Sequence, residues 1–162
     1  MTTENTARCC PPFEPAPWHE KELAWKDMLF VRATMPQFLH TPLPGSFQKA
    51  VARAWRQIEA AGAKTPEKDF LMLAAETSPW QGEVFINAAK PVPGAENVRL
   101  SGTFYTMVFD GPYNAVPRWI KEMQASAALK QKTVRKYYFY YPFCPKCAQA
   151  YGHNYTVGFA QV

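Results

Sequence analysis

The sequence predicts an α+β fold built as a duplicated strand–helix–strand–strand unit, with an antiparallel sheet and two helices. Three observations lead there: short runs of β-branched and aromatic residues, two stretches of helical apolar periodicity, and one element order met twice along the 162 residues. With 48% hydrophobic and 19% charged residues, the chain is too apolar for disorder and too short for two full domains. Each half alone exposes one apolar sheet face, so the halves are expected to share a core.

Residues 1–27 are rich in proline, carry Trp18 and Trp25 and show no periodicity, so they read as an extended arm held by its aromatics. A single domain is expected over 28–162, with halves at about 28–92 and 100–162. From Met28 the string MLFVRATMPQFLHTPL reads as a strand that Pro36 marks as an edge or a bulge. Ser46 is the expected N-cap of a helix in which Phe47, Val51, Ala54, Trp55 and Ile58 share a face before Gly62. DFLMLAA at 69–75 and EVFINAA at 83–89 then read as a hairpin, followed by a break at Pro91, Pro93 and Gly94.

The second half repeats the order. TFYTMVFD at 103–110 is an alternating strand stopped by Gly111 and Pro112. Val116, Trp119, Ile120, Met123 and Ala127 line one helix face, with Pro117 tolerated in the first turn. The aromatic string KYYFYYPF, ending at Phe143, and NYTVGFAQV at 154–162 supply the last two strands.

The passage LSGTFYTMVFDGPY from Leu100 to Tyr113, followed by Trp119 and Ile120, resembles the start of the second half in the GyrI-like family. This is the small-molecule-binding domain of multidrug-responsive regulators and of stand-alone proteins. The resemblance covers residues 28–162 and implies a central cavity lined by aromatics that takes a hydrophobic or aromatic small molecule. It also implies possible hydrolase activity, since some stand-alone members open electrophilic rings. Such chemistry needs an aromatic slot and a carboxylate or tyrosine to activate water or protonate a leaving group. Trp80, Tyr105, Trp119, Tyr138 and Tyr140 are the candidates for the slot, and Glu76, Glu83 and Tyr113 for catalysis. For each aromatic the plain alternative is core packing, and for each glutamate a solvated hairpin carboxylate. Family regulators often place an acid on the late strands to meet a cationic drug; here no Asp or Glu follows Glu122, which speaks against a dedicated cationic-drug site, and Glu76, Glu83 or Asp110 is the candidate to supply a carboxylate from elsewhere.

Eighteen Lys and Arg against thirteen Asp and Glu give a net charge of +5. The excess sits late, at Lys130, Lys132, Arg135, Lys136 and Lys146. A nucleic-acid or anionic-partner module using this basic, aromatic C-terminal third is the alternative function; the competing reading is a helix end whose cations complement the dipole. No apolar run long enough to span a membrane and no secretory leader occurs, so a cytoplasmic location is expected. No phosphate loop, dinucleotide fingerprint or catalytic triad order is present.

Cys9 and Cys10 are adjacent, and Cys144 and Cys147 form a C-x-x-C expected between two strands. Two close pairs satisfy a tetrahedral structural zinc that would clip the arm to the C-terminal half, with His153 or His19 as a substitute fourth ligand. A redox pair and inert cysteines are the alternatives. The latter pair lies in an expected strand-to-strand connection, whereas a thioredoxin-like pair opens a helix.

Overall fold

The computed structural model describes residue 10, residues 12–143 and residues 145–162. The chain forms β1 (Lys21–Phe38), β2 (Thr41–Pro42), α1 (Ser46–Ala60), β3 (Met72–Ser78), β4 (Gln81–Asn87), β5 (Glu96–Asp110), α2 (Val116–Leu129), β6 (Lys136–Tyr140), α3 (Pro145–Tyr151) and β7 (Tyr155–Gln161). The fold is α+β with antiparallel pairing and three helices. It divides into two compact units: the first is Ala24–Gly102, and the second joins the chain up to Leu23 with Thr103–Val162.

In the first unit the strand order is β2-β1-β4-β3. β1 lies antiparallel to β4 from Phe30 opposite Asn87 to Pro36 opposite Gln81. Pro36, expected to mark an edge or a bulge, pairs with Gln81 of β4, and the two-residue β2 pairs only with the Gln37 and Phe38 that follow it. Its lack of an N–H is harmless there, while its carbonyl accepts from Leu43 N and Ser46 Oγ. Val31, Ala33 and Met35 of β1 and Val84 and Ile86 of β4 share the face covered by α1. The helix meets that face along Ser46, Ala50, Ala54 and Ile58, a seam at i, i+4 spacing whose small residues let the backbone approach closely. Phe47, Val51 and Trp55 flank the seam. The cap expected at Ser46 is instead Gly45, in the left-handed region at φ 77°; Ser46 is the first helical residue, and its hydroxyl is spent on the Pro36 carbonyl.

In the second unit the order is β6-β7-β5. One face of this sheet, with Tyr105, Phe109, Phe139 and Ala160, packs on Trp119 and Met123 of α2. Phe109 and Trp119 stack at 5.2 Å with their planes 11° apart. Gly158 of β7 lies against α2: a Cβ there would collide with the Met123 thioether. The opposite face carries Thr106, Tyr140 and Phe159, and the arm lies on it. Thr106 Oγ1 donates to the Trp18 carbonyl, and Trp18 packs on Tyr140 at 5.8 Å and on Phe159 at 5.9 Å.

Three expectations about the elements are corrected. β1 begins at Lys21, seven residues before Met28, and β5 begins at Glu96 rather than after Gly102. Each added segment is mostly polar and carries only a two-residue alternation, Leu23 with Trp25 and Val98 with Leu100; hydrogen bonds join the two, from Asp27 N to Ser101 Oγ and from Arg99 Nη1 to the Asp27 carbonyl. The C-x-x-C is not in a plain strand-to-strand connection: Cys147 sits in α3, which Pro145 opens as a first-turn proline. Seven residues are too few for a periodicity to be read.

Candidate functional site

A groove of about 400 Å³ opens in the second unit, lined by Tyr113, Ala148, Gln149, Gly152, His153 and Asn154. Three local features build it. β5 stops at Asp110 because Gly111 and Pro112 follow, and a 3-10 turn at Tyr113–Ala115 leads into α2 and leaves Tyr113 44% exposed. α3 supplies one wall, and the Gly152–Asn154 link returns the chain to β7 beside Asp110, which faces Tyr155 in the ladder.

The polar groups at this rim are fixed. His153 Nδ1 lies 2.7 Å from Asp110 Oδ2. Asp110 Oδ1 accepts from Asn154 N at 2.8 Å, and Asn154 Nδ2 donates to the Gly111 carbonyl at 2.7 Å. The imidazole stacks on Tyr155 at 4.8 Å. A carboxylate on Nδ1 holds the proton there and leaves Nε2 as the basic nitrogen. Tyr113 stands edge-on to Tyr141 at 5.2 Å; burial, then the neighbouring Tyr113, holds the Tyr141 phenol well above its ordinary value, so it stays neutral. The arrangement offers an oriented base, a phenol and a concave wall, the parts of a general acid–base site.

A second histidine–carboxylate pair lies in the first unit, at the β3–β4 hairpin. His40 Nδ1 is 2.6 Å from Glu76 Oε1, and Gln37 Nε2 donates to Glu76 Oε2 at 3.0 Å. Trp80 of the same hairpin meets Phe38 at 5.6 Å, and both rings are more than half exposed. Glu76 and Trp80, singled out from the sequence, are therefore brought to one place. Glu83 is elsewhere and buried: Arg32 Nε donates to it, and Arg32 Nη1 reaches Glu96 at 3.0 Å. Burial opposes the Arg32 charge, but Glu83 and Glu96 outweigh it and hold the guanidinium above its ordinary value.

The remaining slot candidates divide between the two sheet faces of the second unit. Tyr105 and Trp119 are closed into the helix-side core, each 2% exposed, and Tyr105 Oη is 2.9 Å from Ser126 Oγ. Tyr138 packs on Phe104 at 6.1 Å, while Tyr140 lies under Phe13 and Trp18. Burial, then Cys10, pushes the Tyr140 phenol up. Lys130 and Lys136 of the basic third lie over the rings of Tyr105 and Tyr138, an intramolecular use of those charges.

Of the expected zinc ligands, Cys9 and Cys144 lie outside the described residues. Cys10 is half-buried and Cys147 fully buried; among the described residues no three His, Cys, Asp or Glu side chains gather as a metal site. The substitute histidines have their Nδ1 atoms engaged: His19 accepts from Val108 N at 3.1 Å, and His153 meets Asp110. His153 and Asp110 form a candidate pair that the sequence does not join. The carboxylate was weighed only for a drug cation and the histidine only for a metal, and 43 residues separate them.

A family described as Bacterial hydrolase matches residues 1–162. The chain belongs to this bacterial hydrolase family. No curated protein matches the chain in sequence. Among solved structures, the EcmrR C-terminal domain aligns at TM-score 0.67 and 11% identity, over 87% of this chain and 93% of that one. A hydrolase from Listeria innocua aligns at 0.60 and 13%, over 88% and 90%, and a second Listeria innocua hydrolase at 0.58 and 12%, over 89% and 92%. The chain thus has the GyrI-like fold of the EcmrR domain, as the LSGTFYTMVFDGPY passage implied. No helix of the described residues is long and apolar enough to cross a membrane.

Proposed function

We propose that this protein binds a hydrophobic or aromatic small molecule and hydrolyses it in the Tyr113–His153 groove. Membership of the bacterial hydrolase family and the GyrI-like fold support the class of activity. The observation that carries the site is the His153–Asp110 pair at the rim of a groove that also presents Tyr113. In this reading His153 Nε2 takes a proton from water, whose oxygen bonds to the electrophilic carbon as the bond to the leaving heteroatom breaks. Asp110 stabilises the imidazolium, and the heteroatom takes that proton back while Tyr113 Oη hydrogen-bonds to it. The Tyr113 ring gives a planar substrate a stacking surface. Each unit runs strand, helix, strand, strand, with the short β2 added in the first and α3 inserted in the second, and this shared part of the order supports an origin by duplication.

A second reading places the reaction at Glu76 and His40 beside Trp80, because that pair repeats the same geometry next to an exposed aromatic platform. Turnover of a panel of aryl esters and strained-ring electrophiles by His153→Gln and Glu76→Gln decides between them. The groove requires a loss of about 10²–10⁴-fold in kcat for His153→Gln and Asp110→Asn, with Glu76→Gln unaffected. The reverse pattern moves the reaction to the hairpin, and no turnover of any substrate by the unaltered protein leaves a binder only.

A further inference from the structure

We propose that Tyr155 and the arm residue Phe13 are positioning residues for His153, which makes the N-terminal arm a working part of the groove. The inference rests on the hydrolytic reading and extends it to residues outside the groove wall. His153 and Asp110 by themselves are a weak fixture. Half of the His153 side chain and 44% of that of Asp110 are exposed, and water competes for a pair so placed. The single contact from Nδ1 to Asp110 Oδ2 also leaves the imidazole free to swing about that line, which carries Nε2 off its aim.

The strand register supplies the missing constraint. Asp110 closes β5 opposite Tyr155, the first residue of β7, and His153 stands two residues before Tyr155. The imidazole lies flat on the phenol ring, with 4.8 Å between centroids and 11° between planes. A carboxylate at one edge and a ring against one face together restrain both side-chain rotations of the histidine. Tyr155 is held in turn, by Phe13 at 5.3 Å and by Phe143 at 6.1 Å. Phe13 is half-buried, and the arm is pinned on either side of it. Before it, Tyr151 Oη donates to the Cys10 carbonyl at 2.8 Å; after it, Val108 N donates to His19 Nδ1 at 3.1 Å. Between these pins Trp18 N and His19 N both donate to the Pro15 carbonyl, which closes the turn that leads from Phe13 to β5. The contacts therefore run ring to ring from Phe13 through Tyr155 to His153, all within the second unit. Loss of the Phe13 ring opens space beside Tyr155 and lets the phenol tilt, and an imidazole stacked on a tilted ring points elsewhere. A misplacement of about 1 Å at a reacting group costs on the order of 100-fold in rate.

The test uses the full chain and two readouts: the ring-proton shifts of His153 by NMR without substrate, and kcat and KM on an aryl ester or strained-ring electrophile that the unaltered protein turns over. Stacking on Tyr155 displaces the imidazole proton signals through the ring current. Tyr155→Leu is expected to lose that displacement and to lower kcat by about 10–100-fold with KM little changed, because the contact aims a group that acts only in the transition state. Tyr155→Phe keeps the ring and should keep both. Phe13→Ala should show part of each loss, and it carries the test if Tyr155→Leu fails to fold. An unchanged His153 spectrum in Tyr155→Leu or in Phe13→Ala overturns the proposal, and so does a Tyr155→Phe protein that behaves like Tyr155→Leu. The two readings fail differently. Full turnover in His153→Gln with the expected spectra defeats the hydrolytic reading and this one with it, whereas lost turnover in His153→Gln with unchanged spectra in the ring variants defeats this one alone.

Discussion

The two units solve one packing problem with different side chains. In the first, α1 rests on β1 and β4 through Ala50, Ala54 and Ile58 against Val31, Val84 and Ile86; in the second, α2 rests on its sheet through Trp119 and Met123 against Tyr105, Phe109 and Phe139. The first unit holds the Arg32 pair with the buried Glu83 and, at its hairpin, the exposed His40–Glu76 pair. The second holds phenols and the His153–Asp110 pair. The difference teaches that one packing scheme accepts either set of side chains, while the groove with Tyr113 and His153 comes from what the second unit adds, the turn after Asp110 and α3 before β7.

Breaking the aromatic layer should give the largest effect. Trp119→Ala removes the partner of Phe109 and is expected to lower stability by about 3–5 kcal/mol in denaturant titrations, more than Ala54→Gly in α1, which costs about 1 kcal/mol through helix propensity. Equal losses would mean that the two layers are equivalent. Next comes the ion pair. Arg32→Met leaves the Glu83 carboxylate buried, and its cost should approach but not reach the roughly 3–5 kcal/mol of a wholly buried pair, because Arg32 remains 18% exposed.

Alkaline pH should separate the units by their phenols. Tyr137, Tyr140 and Tyr141 of the second unit all have folded-state values raised above the ordinary 10.0, chiefly by burial. Below that value folded and unfolded chains are both protonated and stability is constant. Above it the unfolded chain loses protons first, so stability falls as pH rises, by up to about 1.4 kcal/mol per pH unit for each phenol. Thermal melts between pH 8 and 11 should show the fall, and Tyr141→Phe should flatten it; an unchanged slope removes Tyr141 as a cause. A smaller effect than the loss of Trp119 or Arg32 belongs to the end of α1. Gly62 has φ 62° in open space, so Gly62→Ala should cost about 1–2 kcal/mol from backbone strain alone, while Ala61→Gly should cost less.

The elements that could be read from the sequence were those whose own side chains report their burial. The Phe47-to-Ile58 stripe, the Val116-to-Ala127 stripe and the two apolar hairpin runs are all present, and the cores that they form follow from their periodicity. Illegible were elements defined by a partner. Lys21–Asp27 and Glu96–Ser101 become strand through bonds such as Asp27 N to Ser101 Oγ, across 74 residues, and α3 is shorter than two helical periods. The candidate site was half visible. Tyr113 stood out because Gly111 and Pro112 break the chain before it, and Glu76 and Trp80 because a hairpin gathers its own tip. His153 and Asp110 did not, since neither residue alone indicates the other.

The bracket of bonds between Asp110 and Asn154 carries a consequence for timing. Because Gly111 N donates to the Asn154 carbonyl while Asn154 N and Nδ2 donate to Asp110 and Gly111, the end of β5 and the start of β7 are buckled together where sheets usually fray. Amide protons at Gly111 and Asn154 should therefore exchange with deuterium as slowly as those in mid-ladder.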